Sequence, residues 1–439
     1  MNKQTIFLPV EVISRELTSR AFLSTKLANN GQKIYIFEHT FFDRNGWNQE
    51  GIYIGKNCFR TEVPYDKKYF SLMKKAGISV WYLDEEGGIY TGSASAQKNR
   101  LLTRLVPSDL KEDDKILSWG NWQKDFFQSN QPSAPIEVSG NPGFDIIQPK
   151  YHKVFQEFDT NITNGLKDFI LINTRFSLGN PKKGFKEIFG ANQPYAKNLP
   201  KLYLEESYIS DNQMLCEMMD LCFYLSKKLP NEHIVIRPHP AEDIEIYKIL
   251  TKKCDNISVL FKGGVEPWIR RCKVLIHNGC TTAVQADIAH KKVISFVPFS
   301  GSITEKQYIC RIPNQIGLIA SNNQEVLEGI NSDFKTSSNI YEDTVSELNS
   351  IDFIANLIQQ KIHKNEIILH QEKYDFYLKE KIRDVARKTI GLLTTHKQRN
   401  IFNFKEFSQI TKLVEIANQH YKTNVKCKKI NDGCYIVHK

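Results

Sequence analysis

The sequence predicts an α/β protein: two doubly wound, Rossmann-like domains followed by a helix-rich C-terminal extension. Three observations carry this. Short apolar runs alternate with helical patterns as far as Asp145. The alternation lapses over a polar stretch and restarts at Phe169. At 439 residues the chain is also longer than one core usually supports. The expected boundaries are 1–150 for the first domain, 166–331 for the second and 332–439 for the extension.

In the first domain "TIFLPV" reads as a strand and "ISRELTSRAFLSTKLANNG" as a helix, with Leu17, Phe22, Leu23 and Leu27 near helical spacing and Gly31 as its stop. "KIYIFEH" is the next strand, followed by "AGISVWYLDEEGG", "KILSWG" and "IEVSGNPGFD", each a strand running into polar groups. Strands separated by helices imply a parallel sheet covered on both faces. The polar segment "QPKYHKVFQEFDTNITNGLKD" reads as the crossing between domains.

In the second domain "FILINTRF", "HIVIRPHP", "ISVLF", "KVLIHNG" and "KVISFVP" are the strands. "DNQMLCEMMDLCFYLSKKLP" is an amphipathic helix that turns Leu215, Met218, Met219, Cys222 and Leu225 to a core, and "EPWIRRC" and "TTAVQADIAH" are shorter helices. From about Ser332 the chain is polar and helical, clearest in "DFIANLIQQKI" and "IRDVARKTIGLLTTH". It ends on "NVKCKKINDGCYIVHK", an Asn-Asp-Gly turn signal between possible strands.

With 41% hydrophobic and 25% charged residues, the chain has the makeup of a folded domain rather than a disordered one. The balance of 59 Lys+Arg against 49 Asp+Glu gives +10, which favours anionic partners such as nucleotides, phosphorylated glycans or an anionic membrane surface. The basic residues are scattered apart from short runs such as Lys426, Lys428 and Lys429, and no nucleic-acid-binding motif is present, so nucleic acid is not an expected partner. Nine cysteines without a CxxC pair read as reduced thiols of a cytoplasmic protein. The apolar run at the N-terminus is too short for a signal peptide, and no stretch reaches membrane-spanning length. The expected location is the cytoplasm, with any membrane contact peripheral on the inner face.

Three polar clusters fall at the carboxyl ends of predicted strands, where open α/β sheets bind ligands. In "RPHP", Pro238 and Pro240 end the strand and fix the directions of Arg237, a fork for phosphate or carboxylate, and His239, a proton donor near neutral pH. The plainer alternative is a strand end with a structural histidine. In "HNGCTTAVQA", Asn278, Gly279, Cys280, Thr281 and Thr282 open a helix whose N–H groups and hydroxyls suit an anion; an ordinary helix cap is the alternative. Cys280 reads more simply as a small spacer than as a nucleophile. In "LDEEGG", Asp84, Glu85 and Glu86 precede two glycines; adjacent carboxylates repel, which raises at least one pKa and provides a proton acceptor or nucleophile, unless the turn is simply solvated.

"GNPGFD" with Asn141, "NTRF" with Thr174 and Arg175, and Arg15 with Glu16 at the first helix are lesser candidates for polar ligands. "WGNW" fits packing better than a sugar platform, and "KEDDK" reads as an exposed charged loop. No metal and no cofactor are expected.

Taken in order, "EVISRELTSRAFLSTKLANNG", "LDEEGG", "GNPGFD", "ILINTRF", "RPHP" and "HNGCTTAVQA" followed by "KVISFVP" resemble a family of bacterial surface-carbohydrate biosynthesis proteins. That family is similar to the retaining β-Kdo glycosyltransferases of capsule and O-antigen assembly; the acidic-Gly and His-Pro motifs are more distantly similar to those of bacterial sialyltransferases. The resemblance covers residues 5–300. It implies a GT-B fold with the domains facing across a cleft, a CMP-activated 2-keto-3-deoxy sugar acid as donor, and transfer to a growing surface glycan.

On this resemblance Glu85 or Glu86 is the nucleophile or base, His239 meets the CMP phosphate or assists its departure, and Arg237 holds the phosphate or the sugar carboxylate. Asn278 to Thr282 bind the nucleotide phosphate, with Asn141, Thr174 and Arg175 also on the donor side and Arg15, Glu16 and Asp84 on the acceptor side. Gly143 stands where a larger basic residue is expected and Arg175 where an Asn is expected, which puts the identity of the sugar acid, Kdo or a nine-carbon relative, in question.

Other readings compete. A CDP-alditol transferase of the teichoic-acid type also uses an Arg-x-His-Pro segment, but has no anomeric cation for "DEEGG" to stabilise. A sugar-nucleotide epimerase would convert its nucleotide-sugar without an acceptor. A non-catalytic scaffold of polysaccharide assembly would leave the three clusters at strand ends without a purpose.

Overall fold

A computed structural model describes residues 4–41, 49–56, 64–83, 110–133, 135–190, 201–298, 312–334, 345, 349–363 and 403–439. In chain order the first half runs β1 (Thr5–Val10), α1 (Ile13–Asn29), β2 (Lys33–Glu38), β3 (Gly51–Gly55), α2 (Pro64–Lys75), β4 (Ile78–Leu83), β5 (Lys115–Ser118), α3 (Asn121–Asn130), β6 (Ile136–Val138), α4 (Pro142–Asp145), α5 (Pro149–Ile162), β7 (Phe169–Asn173) and α6 (Lys186–Phe189). There follow α7 (Lys201–Lys228), β8 (Ile234–Arg237), α8 (Lys248–Thr251), β9 (Ile257–Val259), α9 (Glu266–Arg271), β10 (Cys272–His277), α10 (Thr282–Ile288), β11 (Lys292–Phe296), β12 (Leu318–Ala320), α11 (Asn323–Asn331), α12 (Ser350–His363), α13 (Phe404–Phe407), α14 (Ile410–Tyr421), β13 (Lys426–Asn431) and β14 (Cys434–His438). The fold class is α/β with two Rossmann-like units. One is built on β1–β6, β13 and β14, the other on β7–β12.

The first sheet has the order β13-β14-β2-β1-β3-β4-β5-β6. β1 and β4 bury every residue, as strands covered on both faces must. β3 is an addition to the strands expected from sequence. A Cβ on Gly51 would meet the Thr5 carbonyl oxygen at 2.6 Å, and one on Gly55 would meet Pro9 Cγ at 2.5 Å, so glycine here is what allows β3 to lie against β1.

The C-terminal residues differ from the expectation of a separate extension. β14 pairs antiparallel with β2 and with β13 through the expected Asn-Asp-Gly turn, and thereby widens the first sheet. α14 packs on α1, with Phe22 edge-on to Tyr421 at 5.9 Å. α12 is fastened at both ends. Asp145 accepts the N–H groups of Ser350 and Ile351 at 3.0 and 2.7 Å, and Lys361 donates to Ser79 Oγ and the Asp113 carbonyl at 3.0 and 2.8 Å. The helix expected at "IRDVARKTIGLLTTH" lies outside the described residues.

"KEDDK" is not an exposed loop. Asp114 is buried and accepts from the N–H groups of Val80 and Lys111 at 2.7 and 2.8 Å and from Lys74 Nζ at 2.7 Å, closing the connection into β5. Three donors to its oxygens are what make the burial of this charge tolerable.

The second sheet is entirely parallel, in the order β12-β11-β10-β7-β8-β9. Its core sets Ile170, Ile172, Ile234, Ile236 and Ile276 against Leu215, Met218, Leu221, Cys222 and Leu225 of α7. The stretch expected to cross between domains is the helix α5. Tyr151, Phe155, Phe158 and Ile162 form its buried stripe, and Asp159 pairs with Arg270 of α9 at 2.7 Å. Polar residues over the rest of its surface hide that stripe in the sequence.

Candidate functional site

The chain leaves β7 for β8 and β9 on one side and then crosses to β10 on the other, so the strand order reverses between β7 and β10. Ligands of doubly wound sheets bind at the carboxyl edge of such a switch point. The register sets Ser295, His277, Asn173 and Arg237 abreast at that edge, one from each of four neighbouring strands.

The loops beyond this row are organised by Glu242, a residue that sequence reasoning passed over. Its buried carboxylate accepts the Thr174 hydroxyl at 2.9 Å, the Phe176 N–H at 2.9 Å, the His239 N–H at 3.1 Å and the Tyr247 hydroxyl. Burial pushes its pKa up, while these four donors pull the other way. Burial and the neighbouring carboxylate push the Tyr247 phenol up too, which keeps it a donor. Glu242 thus joins the end of β7 to the turn after β8. The available signal was an acid three residues beyond the His-Pro step, the spacing at which a side chain reaches back to its own turn.

His239 is half-buried on that turn. Its Nδ1 accepts the Ala241 N–H at 3.2 Å, which leaves Nε2 to carry the ring proton in the neutral form. Arg237 is held inward: its guanidinium lies 4.7 Å from the Phe261 ring centroid and donates to the Gly263 carbonyl. The Thr174 hydroxyl is likewise engaged by Glu242.

On the other side of the switch point, His277 is fully buried. Its Nδ1 accepts the Cys280 N–H at 3.3 Å and its Nε2 lies 3.1 Å from Ser295 Oγ. Burial, with a smaller push from Arg175, lowers its pKa to about 3, so it is a neutral structural histidine. The Asn278 amide donates to the Phe296 carbonyl at 2.9 Å and locks β10 to β11. Gly279 turns the chain at φ +68°, a conformation that favours glycine. The N–H groups of Ala283 and Val284 are taken by the carbonyls of Cys280 and Thr281, and those of Thr281 and Thr282 have no acceptor among the described residues. The Thr281 side chain makes no cap bond, and Thr282 Oγ1 accepts from Asn173 Nδ2 at 3.0 Å.

Arg175 differs from the other sequence candidates in being uncommitted. Half-buried at the end of β7, it forms no hydrogen bond or ion pair with the described residues. Its charge nonetheless opposes the desolvation that raises the Asp211 pKa and helps depress that of His277. Asp211 spends its carboxylate on the Leu178 and Gly179 N–H groups at 3.0 and 3.3 Å. Beside Arg175, the buried Oδ1 of Asn173 has no hydrogen-bond partner. A cation, two N–H groups and a half-buried imidazole therefore collect around one strand crossing, a set that can neutralise and orient an anion.

The remaining candidates belong to the first unit. Glu16 is buried: it accepts the Glu11 N–H at 2.7 Å and pairs with Lys56 at 3.0 Å, where β1 and β3 end, while Arg15 is exposed. Asn141 caps α4 through the Gly143 N–H at 2.8 Å, and Trp119 of "WGNW" packs edge-on against Phe144 at 5.2 Å. Asp84, Glu85 and Glu86 lie outside the described residues; β4 is described up to Leu83 immediately before them. Among the described residues no cluster of His, Cys, Asp or Glu could hold a metal ion, and no helix is long and apolar enough to cross a membrane.

No protein-family model matches the chain, and no curated protein matches it. Solved structures similar to it include the UDP-GlcNAc 2-epimerase of Methanocaldococcus jannaschii, at 10% identity and TM-score 0.49 over 82% of this chain and 99% of that one. They include the UDP-GlcNAc 2-epimerase of Neisseria meningitidis, at 15% identity and TM-score 0.47 over 83% and 100%. They also include the wall teichoic acid polymerase TagF, at 11% identity and TM-score 0.48 over 83% and 90%. At this identity and TM-score none of these likenesses transfers a substrate or a reaction.

Proposed function

We propose that the protein is a nucleotide-sugar-dependent transferase of surface-glycan assembly, and that its second domain holds the phosphate of a CMP-activated sugar acid at the β7/β10 switch point. The observation that carries the reading is Arg175, an uncommitted guanidinium just past the end of β7, with the Thr281 and Thr282 N–H groups just past the end of the adjacent strand β10, at the carboxyl edge of a doubly wound sheet. The resemblance of the ordered motifs supplies the donor class.

In this reading Arg175 takes the phosphate or the sugar carboxylate, and Thr281 and Thr282 bind phosphate oxygens through their N–H groups. His239 Nε2–H faces the departing phosphate. Arg237 and Glu242 hold the shape of the turn that presents His239. The carboxylate of Glu85 or Glu86 attacks the anomeric carbon as its bond to the CMP phosphate oxygen breaks and CMP leaves. The acceptor hydroxyl then displaces that carboxylate and loses its proton, with net retention. Asp84 and Arg15 stay on the acceptor side.

One observation favours a second reading, transfer from a CDP-alditol. The polar groups gathered at the switch point are suited to phosphate, and the carboxylate that organises the adjoining loops, Glu242, is occupied by four donors. The two readings separate when the purified protein is incubated, without acceptor, with CMP-Kdo, CMP-activated nonulosonic acids, CDP-glycerol and UDP-GlcNAc, and nucleotide release and intact mass are followed. CMP release with a mass increase on Glu85 or Glu86 supports the sugar-acid reading. Turnover of CDP-glycerol alone replaces it with the alditol reading, and conversion of UDP-GlcNAc without nucleotide release points to an epimerase.

A further inference from the structure

We propose that the segment "PKKGFKEIF" of the second unit, with the adjoining face of α7, is a docking surface for an anionic lipid bilayer. After β7 the chain runs out over residues 176–190 and is fastened beside the His239 turn. The Lys182 N–H donates to the Ala241 carbonyl at 2.9 Å, the Asp243 N–H to the Asn180 carbonyl at 3.0 Å, and the Asn180 amide to the Asp243 carbonyl at 2.7 Å. A turn closed by the Gly184 N–H on the Pro181 carbonyl at 2.8 Å then projects Phe185 outward.

This turn presents apolar surface to solvent. Phe185 is 57% exposed and Ile209 of α7 53% exposed, among the most exposed large apolar side chains described. Phe185 stacks on Phe189 with ring centroids 4.4 Å apart, and Tyr208 sits edge-on to both at 5.7 and 5.4 Å, so the rings form a rigid apolar knob. Lys182, Lys183 and Lys186 flank it in sequence, all exposed and none in an ion pair with the described residues. Of the carboxylates nearby, Glu187 accepts the Lys183 N–H at 2.9 Å and Glu205 pairs with Lys201 at 3.6 Å.

An aromatic knob flanked in sequence by exposed lysines, none in an ion pair with the described residues, matches a membrane interface. Rings settle at the level of the headgroups, and each lysine near an anionic surface adds electrostatic attraction within a Debye length. A protein partner of ordinary interface composition would not select three lysines, since lysine is depleted at such interfaces. The patch adjoins the His239 turn, so docking would bring the candidate site to the bilayer surface, where a lipid-linked acceptor would lie. The binding itself is independent of the nucleotide reading and is tested without any nucleotide.

The experiment is sedimentation of the full chain with vesicles of equal parts phosphatidylglycerol and phosphatidylcholine, at low and at moderate salt. The wild type is expected to pellet with these vesicles, less so at moderate salt, and not with pure phosphatidylcholine. Lys182→Glu/Lys183→Glu/Lys186→Glu is expected to lower partitioning by about tenfold or more, and Phe185→Ser to lower it by several-fold. Charge reversal of Lys426, Lys428 and Lys429, equal in charge but in the other unit, is expected to leave most of it intact. Absence of binding overturns the proposal, as does equal binding to neutral vesicles or loss confined to the Lys426 set. A change of solution mass on Phe185→Ser with vesicle binding untouched also overturns it, and assigns the knob to a second copy of the chain.

Discussion

Glu242 accepts the Thr174 hydroxyl at 2.9 Å and thereby ties the end of β7 to the His-Pro turn that follows β8. With the Phe176 and His239 N–H groups and the Tyr247 hydroxyl on the same carboxylate, one acid fixes both loops at the carboxyl edge of the second sheet. Glu242→Ala leaves four donors without an acceptor in a buried place and is expected to cost roughly 3 kcal/mol or more, against about 1 kcal/mol for Thr174→Val. Urea unfolding of the two variants measures both; equal and small losses would mean that the network does not hold the loops.

Arg175 has the opposite character, since it supports no other group by hydrogen bond or ion pair among the described residues. Arg175→Ala is therefore expected to unfold within about 0.5 kcal/mol of the wild type, as substitutions away from structural features do. The same substitution is expected to weaken nucleotide binding about tenfold or more, the scale of a charge-assisted contact. Thermal unfolding and a nucleotide titration of one preparation give both numbers.

The buried pair Asp159–Arg270, at 2.7 and 2.8 Å with Arg270 4.1 Å over the Phe155 ring, fastens α5 to α9. Removing one partner of such a pair strands the other charge, so Asp159→Ala and Arg270→Ala are each expected to cost about 3–5 kcal/mol. Asp159→Leu/Arg270→Met, which removes both charges and keeps volume, is expected to recover most of that loss. Denaturation of the three variants tests the pair, and a double variant as unstable as the singles would show that packing rather than charge sets the cost.

His277 makes stability depend on pH. Its folded pKa of about 3 lies below the value of about 6.5 for a free histidine, so between these two values the unfolded chain binds a proton that the folded one does not. Its contribution is complete above pH 6.5 and is lost as pH falls, at up to ~1.4 kcal/mol per pH unit. Unfolding free energies at pH 7 and pH 5 are expected to differ by less in His277→Gln than in the wild type; an equal difference would mean that other groups carry the acid sensitivity.

Periodic apolar runs made most of the two sheets readable. "HIVIRPHP" and "KVLIHNG" state both a buried strand and its abrupt polar end, while the switch point shows only in the spatial order of the strands. What stayed hidden was set by distant partners. Asp114 looks like one more surface charge until Val80 and Lys74 surround it, and α5 looks polar because its stripe of Tyr151, Phe155, Phe158 and Ile162 occupies few positions.

Within the site, residue type was legible and engagement was not. Arg237, Thr174, Asn278 and Asn141 have the chemistry of ligand-binding groups, yet each is bonded to the protein itself. Arg175 and the Thr281 and Thr282 N–H groups have no hydrogen-bond partner among the described residues and are left to offer. β14, which closes on β2 from the far end of the chain, could be read as a strand but not as part of the first sheet, because nothing local encodes its partner.

Calorimetric titration of the wild type and of Arg175→Ala with CMP tests the central claim most directly, that the β7/β10 switch point holds a nucleotide phosphate. The expected result is saturable binding to the wild type, weakened about tenfold or more in a variant of unchanged stability. Equal affinity in the two proteins, or no binding of CMP by the wild type, would contradict it.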